Sequence, residues 1–418
     1  MRIASGGALI AGCGSLGVGC GRSWTEGFSV EPGRVRGDEP FVVRLRDLPP
    51  GQRVLLSATF DDARGQEWTS TAVFEADDGG RVDTSEQSPV DGYYGVRDPM
   101  GLVWSALGSV PYESTLRGSV LRVRARAGGE EAEARVERFD LAEDARSVEV
   151  REDGLVGRLF SPARRGPVPG ILVLGGSEGG LAPYLEREAA LLASRGYAAF
   201  ALAYFRGEFF APEGVGSLPD TLTNVPLEYF GRALGWLGGR GGVRGDRLGV
   251  IGHSRGGELA LLLGATQPEV KAVVSYVGSG VVVSSPEGDE PAWTRAGEPV
   301  PYVAFTGGEA QELSSGEISR TEIPVEKTNG PVLLISAGDD ALWPSERLSR
   351  VAYERLSNSR RTHEDETVTY PGAGHAIVAP YAPTTGNEAL GGTPEADAAA
   401  AEDAWRRTLA LLDRSLRG

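Results

Sequence analysis

Hydrophobic and polar residues alternate with a period of two along the first part of the chain. The segments 41–46, 54–60, 119–125 and 132–139 show this most clearly. Such alternation is typical of strands that bury one face and expose the other. Turn-rich segments separate the strands, and no helix longer than one turn is evident. The pattern therefore predicts an antiparallel β-sandwich over residues 23–143.

After a polar stretch at residues 141–150, short apolar runs begin to alternate with helical stretches. This order predicts a mostly parallel sheet with helices on both faces over residues 150–418, with ligand sites at the carboxyl ends of the strands. We expect strands at 155–160, 171–174, 198–203, 248–251, 272–277, 332–336 and 367–370, and helices at 184–194, 227–237, 258–265, 345–356 and 398–412.

One stretch of this second region, residues 278–330, has little periodicity. It carries Trp293, Tyr302 and Phe305. Two interpretations stay open, a lid over a ligand site or a surface insertion.

The strongest chemical signal is a Gly-x-Ser-x-Gly pattern at residues 252–256. A short apolar strand precedes it and an Ala/Leu-rich helix follows it, which is the context of a nucleophile elbow. In such a turn the serine hydroxyl projects above the end of the sheet, and the flanking glycines let strand and helix pass closely. Ser254 is the candidate nucleophile.

A serine nucleophile needs a general base, and the chain has three histidines. His253 lies inside the elbow, where its side chain is expected to point away from that of Ser254. His363 lies in a charged surface stretch. His375 follows the last predicted strand in a Gly-rich loop, which makes it the candidate base.

The base in turn needs an acid to orient it, and two adjacent aspartates follow the predicted strand at 332–336. Asp340 is favoured over Asp339, because Trp343 and Pro344 stand where hydrolases usually carry an apolar residue and a proline after the acid. The other aspartate is expected to serve in a turn or helix cap. The chain order serine, aspartate, histidine is that of α/β-hydrolases.

A hydrolase of this kind also needs an oxyanion hole made of two backbone N–H groups. The residue after the nucleophile, Arg255, would supply one. A glycine-rich loop at 175–180 follows an apolar strand, and Ser177 or Gly176 in that loop would supply the other. The loop matches neither nucleotide-binding glycine motif, so we expect no cofactor, and no metal either.

The composition of the chain argues against some classes of binding partner. The 418 residues are 40% hydrophobic and carry a net charge of −16. This acidity argues against a nucleic-acid partner, which requires a basic surface. No stretch reaches eighteen apolar residues, so no membrane-spanning helix is expected.

Residues 1–22 form a separate segment with a short apolar run before Cys13. The run resembles the lipobox of an exported lipoprotein, with Cys13 as the lipid anchor, although it contains glycines and only one preceding positive charge. A flexible extension, a misplaced start or a disulfide between Cys13 and Cys20 are the alternatives. The protein is accordingly expected to be either cytoplasmic or an exported lipoprotein.

Several longer motifs run through the chain from residue 24 onward. Asp-Pro-Met-Gly-Leu-Val-Trp stands at 98–104, Gly-Gly-Ser-Glu-Gly-Gly at 175–180, Val-Pro-Leu-Glu-Tyr-Phe at 225–230 and Pro-Gly-Ala-Gly-His at 371–375. With the elbow, which ends in Glu258, they resemble the acyl-CoA thioesterase and bile-acid-CoA:amino-acid N-acyltransferase family.

The resemblance implies an immunoglobulin-like N-terminal domain joined to an α/β-hydrolase domain. It implies the same triad, Ser254, Asp340 and His375, that the spacing predicts. Amino-acid-conjugating members of the family use cysteine as the nucleophile, whereas this chain has serine as the thioesterases do. The expected activity is therefore hydrolysis of acyl-CoA to a free fatty acid and coenzyme A.

Three other functions stay open at this stage. A carboxylic-ester or dienelactone hydrolase would use the same triad without coenzyme A, and an exported protein would favour it. An acyl-CoA:amino-acid N-acyltransferase is a second possibility, and a binding module without catalysis is a third. Glu258 and Trp104 are expected to be structural residues.

Overall fold

The computed structural model describes residues 23–109, 111–163, 166–207, 218–304 and 312–418. The expectations for Cys13, Cys20 and Phe305 fall outside these ranges. The prediction of an N-terminal β region followed by a mostly parallel sheet with helices on both faces is confirmed.

The N-terminal region consists of two sheets that pack on one apolar core. A six-stranded sheet has the order β2-β9-β8-β4-β5-β7, and a three-stranded sheet has the order β1-β3-β6. Its longest strands alternate buried and exposed residues, which is why the period-two pattern is visible in the sequence. The elements are β1 (Ser29–Glu31), β2 (Arg34–Arg36), β3 (Val42–Leu45), β4 (Arg53–Asp61), β5 (Glu67–Glu75), β6 (Val82–Asp83), β7 (Asp91–Gly92), α1 (Gly101–Trp104), β8 (Ser119–Ala127) and β9 (Glu130–Phe139).

The C-terminal region is built on one eight-stranded sheet with the order β10-β11-β13-β12-β15-β16-β19-β20. Strands from β13 to β20 in this order run parallel, and β10 and β11 join at one edge as antiparallel strands. The first elements are β10 (Arg146–Glu152), β11 (Leu155–Ser161), β12 (Val168–Leu174), α2 (Pro183–Ser194), β13 (Ala198–Ala203), β14 (Val225–Pro226), α3 (Leu227–Gly238), β15 (Val243–His253), α4 (Arg255–Thr266) and β16 (Val270–Tyr276).

The remaining elements include β19 and β20 of this sheet, further helices, and two strands, β17 and β18, that form a separate three-stranded sheet with β14. They are β17 (Trp293–Arg295), β18 (Glu298–Pro299), α5 (Ser315–Thr321), β19 (Val332–Ala337), α6 (Ser345–Asn358), β20 (Glu366–Tyr370) and α7 (Pro394–Leu412). Short 3₁₀ turns lie at Val325–Lys327 and Glu388–Leu390, and a π-helical turn at Asp413–Arg417 ends the chain.

Helices cover both faces of the large sheet and bury two apolar clusters. One cluster holds side chains of α3, α4 and α6, and the other holds side chains of α2 and α7. The central strands are buried on both sides, so they appear in the sequence as continuous apolar runs. None of the described helices is both long and apolar enough to cross a membrane.

Strand β10 is an element that the sequence pattern does not reveal. It lies within the polar stretch that we expected to separate the two regions, yet it pairs with β11 along its whole length. Only Val150 of its seven residues is buried, because the strand is at the edge of the sheet. A strand with so little buried surface need not carry apolar residues at alternate positions, so the hydrophobic pattern did not reveal β10.

The two regions are joined by buried polar contacts. The Arg187 guanidinium on α2 donates to the carbonyl oxygens of Gly37, Ala379 and Pro380, and its Nε lies 3.3 Å from Asp140. Separating the two regions would leave the buried Arg187 charge without some of these partners, which is costly. The contacts therefore hold the N-terminal region against the loop that follows His375.

The described part of the 278–330 stretch does not cover the catalytic end of the sheet as a lid. None of its residues lines the cavity described below. It packs instead beside α4, where the buried Trp293 donates from Nε1 to Glu258 at 2.6 Å. The insertion interpretation fits the described residues of this stretch.

Candidate active site

Ser254 lies between the end of β15 and the start of α4, in a strained turn. Its backbone has φ 56° and ψ −120°, a conformation that residues with a side chain rarely adopt. A Cβ built on Gly252 would lie 1.9 Å from the Gly256 carbonyl oxygen, and one on Gly256 would lie 2.2 Å from that of Gly175. Both glycines are therefore required for the strand, the helix and the neighbouring loop to meet at this serine.

His375 lies in the loop after β20 and is held by Asp340, which follows β19. The Nδ1 atom of His375 is 2.8 Å from Oδ2 of Asp340. The carboxylate is itself fixed, because Oδ1 accepts the backbone N–H groups of Leu342 and Trp343. Asp339, its neighbour, is exposed and makes no contact with the imidazole among the described hydrogen bonds.

The second ring nitrogen of His375 is available for chemistry. Nε2 is buried and has no hydrogen-bond partner among the described residues. Ser254 and His375 line the same cavity. Hydrogen bonds between catalytic groups are often long without substrate and tighten when it binds, so an unbonded Nε2 on a residue that lines the same cavity as Ser254 is suited to accept a proton.

The glycine-rich loop after β12 lies directly beside the serine. A Cβ on Gly176 would stand 2.8 Å from Ser254 Cβ and 3.2 Å from Oγ. The Gly176 N–H donates to Glu178 Oε1 at 2.8 Å, so of the two residues expected to supply the second oxyanion donor, Ser177 has the available amide. Arg255 is the first residue of α4, and the N–H at that position of a helix has no intrahelical acceptor.

Next to the elbow, the buried side chain of Arg255 makes several polar contacts. The Arg255 guanidinium donates to Glu258 Oε2 at 2.8 Å and to the Val283 carbonyl at 2.7 Å, and lies 5.9 Å from the ring centres of Trp293 and Trp343. Burial raises the pKa of Glu258 to about 7, against the opposing effect of the Arg255 charge. This arrangement fits the structural role expected for Glu258.

The other two histidines have different settings. His253 is buried, stacks on Tyr276 and places Nε2 2.7 Å from Glu188 on α2. It contributes to the cavity wall, although its ring is engaged by Glu188. His363 is exposed on the surface.

The site opens into a cavity of about 550 Å³ whose walls come from both regions of the chain. Trp68, Pro111, Tyr112 and Ser114 belong to the N-terminal region. Opposite them lie Tyr184 and Arg187 of α2 and an apolar loop that includes Ile377 and Val378. Sequence reasoning missed these walls, because no local pattern brings a sandwich loop against a helix more than 70 residues away.

Among the described residues no group of three or more His, Cys, Asp or Glu side chains could hold a metal ion. The arrangement present is a strained serine, an imidazole with a free nitrogen, a carboxylate on the other nitrogen, and N–H groups beside the serine. Such a set can carry out acyl transfer through a covalent intermediate.

The fold and this site define an α/β-hydrolase. Residues 38–152 match the acyl-CoA thioester hydrolase/BAAT N-terminal region, and residues 225–418 match the BAAT/acyl-CoA thioester hydrolase C-terminal domain. The chain belongs to this acyl-CoA thioester hydrolase and BAAT family, as its sequence motifs predicted.

Relatives in the family match nearly the whole chain. Mitochondrial acyl-coenzyme A thioesterase 2 of Rattus norvegicus is 31% identical over 94% of this chain and 90% of its own length. Peroxisomal succinyl-coenzyme A thioesterase of Mus musculus is 30% identical over 93% of this chain and 96% of its own. Among solved structures, a putative dienelactone hydrolase from Klebsiella pneumoniae is 20% identical with a TM-score of 0.43, covering 64% of this chain and 97% of that one.

Proposed function

We propose that this protein hydrolyses acyl-CoA thioesters through a covalent acyl-serine intermediate. Ser254 is the nucleophile, His375 the general base and Asp340 the residue that orients the base. The observation that carries this proposal is that the strained Ser254 lines one cavity with His375, whose buried Nε2 has no partner among the described residues and whose Nδ1 lies beside Asp340.

In the first step Ser254 Oγ attacks the carbonyl carbon of the thioester while His375 Nε2 takes its proton. The negative charge that develops on the carbonyl oxygen is held by the backbone N–H groups of Arg255 and Ser177. Each such donor typically contributes about 100- to 1,000-fold to the rate. The intermediate collapses, the C–S bond breaks, and His375 returns the proton to the departing thiolate.

In the second step a water molecule replaces the thiol. His375 takes a proton from this water as it attacks the acyl-serine carbonyl, and the same N–H groups hold the new oxyanion. Collapse breaks the bond to Ser254 Oγ, which recovers its proton from the imidazolium. Asp340 accepts a hydrogen bond from Nδ1 throughout, so that Nε2 stays the reactive nitrogen.

The apolar cavity supports an acyl substrate, since much of its wall is made of aromatic and aliphatic side chains. The family relatives include an acyl-coenzyme A thioesterase and a succinyl-coenzyme A thioesterase. Membership of the family therefore supports a CoA thioester as the substrate. The cavity of each protein then determines which acyl group it accepts. A serine nucleophile favours water as the acceptor, because an amine intercepts a thioester intermediate more readily than an ester.

The proposal is tested with a panel of acyl-CoAs of graded length beside p-nitrophenyl esters, with and without glycine or taurine as acceptor. We expect hydrolysis of the acyl-CoAs, release of free acid, and no amide product. Replacement of Ser254 by alanine should lower kcat by about 10⁴-fold or more. Ser147→Ala, at an exposed position on β10, is the matched control and should keep wild-type activity.

A fluorophosphonate probe followed by peptide mass analysis gives an independent readout. We expect the label on the peptide that contains Ser254 and no label on the alanine variant. Wild-type turnover of acyl-CoA by the Ser254→Ala protein would overturn the proposal.

A further inference from the structure

Glu178 places a carboxylate beside the nucleophile. It belongs to the glycine-rich loop after β12 and lines the same cavity as Ser254 and His375. A Cβ built on Gly176 would lie 3.0 Å from Glu178 Oε2 and 3.2 Å from Ser254 Oγ. The two oxygens are therefore no more than roughly 6 Å apart, since both lie next to this one point.

The contacts of Glu178 hold its side chain in this position. Oε1 accepts the Gly176 N–H at 2.8 Å and the Tyr184 hydroxyl at 2.5 Å. Burial, and then the charge of Glu178, raise the pKa of Tyr184 well above its usual value, so the phenol remains a hydrogen-bond donor. No described residue donates a hydrogen bond to Oε2, the oxygen that would lie 3.0 Å from a Cβ on Gly176.

Among the described residues, no Lys or Arg side chain pairs with the carboxyl group of Glu178. Among the described residues that line the cavity, two are Asp, Glu, Lys or Arg, namely Glu178 and Arg187. Arg187 is occupied by Asp140 and by three backbone carbonyl groups. No ion pair involving Glu178 is formed by the described part of the chain.

We infer that Glu178 determines the charge preference of the acyl site, excluding acyl groups that end in a carboxylate and admitting neutral groups of the same length. The inference rests on the proposed function, because it concerns the acyl group of the thioester. The acyl carbonyl carbon bonds to Ser254 Oγ, so the carboxylate that ends a four-carbon acyl group is held in the cavity that Ser254 and Glu178 both line. Two like charges in one cavity with mostly apolar walls repel each other.

The experiment compares butyryl-CoA with succinyl-CoA, which have four-carbon acyl groups and differ in the terminal carboxylate. We expect the wild-type protein to prefer butyryl-CoA in kcat/KM. In Glu178→Gln, whose amide oxygen can still accept from Gly176 and Tyr184, the ratio of butyryl to succinyl turnover should fall by roughly tenfold or more. Glu186→Gln, a matched change on α2 at a residue paired with Arg158 outside the cavity, should leave the ratio unchanged.

The ratio is the informative quantity, because damage to the loop would lower turnover of both substrates together. Glu178→Ala is the second variant, and it should shift the ratio in the same direction even if its absolute activity is low. If the wild type hydrolyses butyryl-CoA but the ratio of butyryl to succinyl turnover is unchanged in both variants, the inference about Glu178 is wrong and the proposed function still stands. Absence of hydrolysis of any acyl-CoA by the wild type would instead overturn the proposed function.

Discussion

Gly176 lies against Ser254 so closely that a Cβ on the glycine would stand 2.8 Å from the Cβ of the serine. The glycine-rich loop and the elbow are thus one packed unit, although 78 residues separate them in the sequence. The position of the proposed oxyanion donors relative to the proposed nucleophile depends on this contact.

Gly176→Ala should therefore impair catalysis more than folding. The added methyl group must displace either the loop or the serine, and a displacement of this size at oxyanion donors is expected to lower kcat by about 100-fold. Gly235→Ala on α3 is the control, because a Cβ there meets nothing within 4 Å. Steady-state kinetics and thermal unfolding of both variants check this, and equal kcat in both would contradict it.

The two adjacent aspartates should respond very differently to substitution. Asp340→Asn keeps the shape of the side chain but cannot hold the imidazole in its working tautomer, so kcat should fall by about 10³- to 10⁴-fold. Asp339→Asn should stay close to the wild-type rate, because Asp339 is exposed. If only the Asp339 variant is inactive, the assignment of the orienting acid is wrong.

Tyr112 should limit the size of the acyl group. It lines the cavity from the N-terminal region, with its ring 5.5 Å from that of Trp68 in an edge-to-face contact. Tyr112→Ala enlarges the cavity, so kcat/KM should rise for longer acyl-CoAs relative to shorter ones. Tyr353→Ala, at an exposed position on α6, is the control. An unchanged chain-length profile would show that the N-terminal region does not shape the acyl site.

Asp397 should make stability depend on pH. Its carboxylate is buried near the start of α7 and accepts the N–H of Gly374, the residue before His375, at 2.7 Å. Burial raises the pKa of Asp397 to about 6. The folded protein therefore holds this proton more tightly than the unfolded chain, so the stabilisation is full below about pH 4 and is lost as the pH rises through 6.

In Asp397→Asn the side chain is an amide that stays uncharged at every pH in this range. Its carbonyl oxygen can still accept the N–H of Gly374. The free energy of unfolding of the variant, relative to wild type, should consequently increase between pH 4 and pH 7. Urea unfolding at both pH values measures the difference. Asp78→Asn, in an exposed turn, should show no such change, and a flat difference for Asp397→Asn would count against the burial argument.

The sequence by itself determined the elements whose signals are local. Continuous apolar runs mark β12 and β19 because strands buried on both faces need apolar residues throughout. The elbow at Ser254 can be predicted from the sequence, because the backbone there requires two glycines, and both lie within the same five residues. The candidate base and acid could be predicted because each follows a recognisable strand, and parallel strands bring their carboxyl ends to one edge of a sheet.

Only the tertiary structure decided what surrounds those residues. The edge strand β10 has no apolar face to reveal it. The wall formed by Trp68 and Tyr112, and the carboxylate of Glu178 beside the serine, arise from contacts between segments far apart in the chain. For Trp68 and Tyr112 such contacts depend on how the two regions pack, and for Glu178 on packing within the C-terminal region. Neither kind of packing leaves a periodic pattern in the sequence.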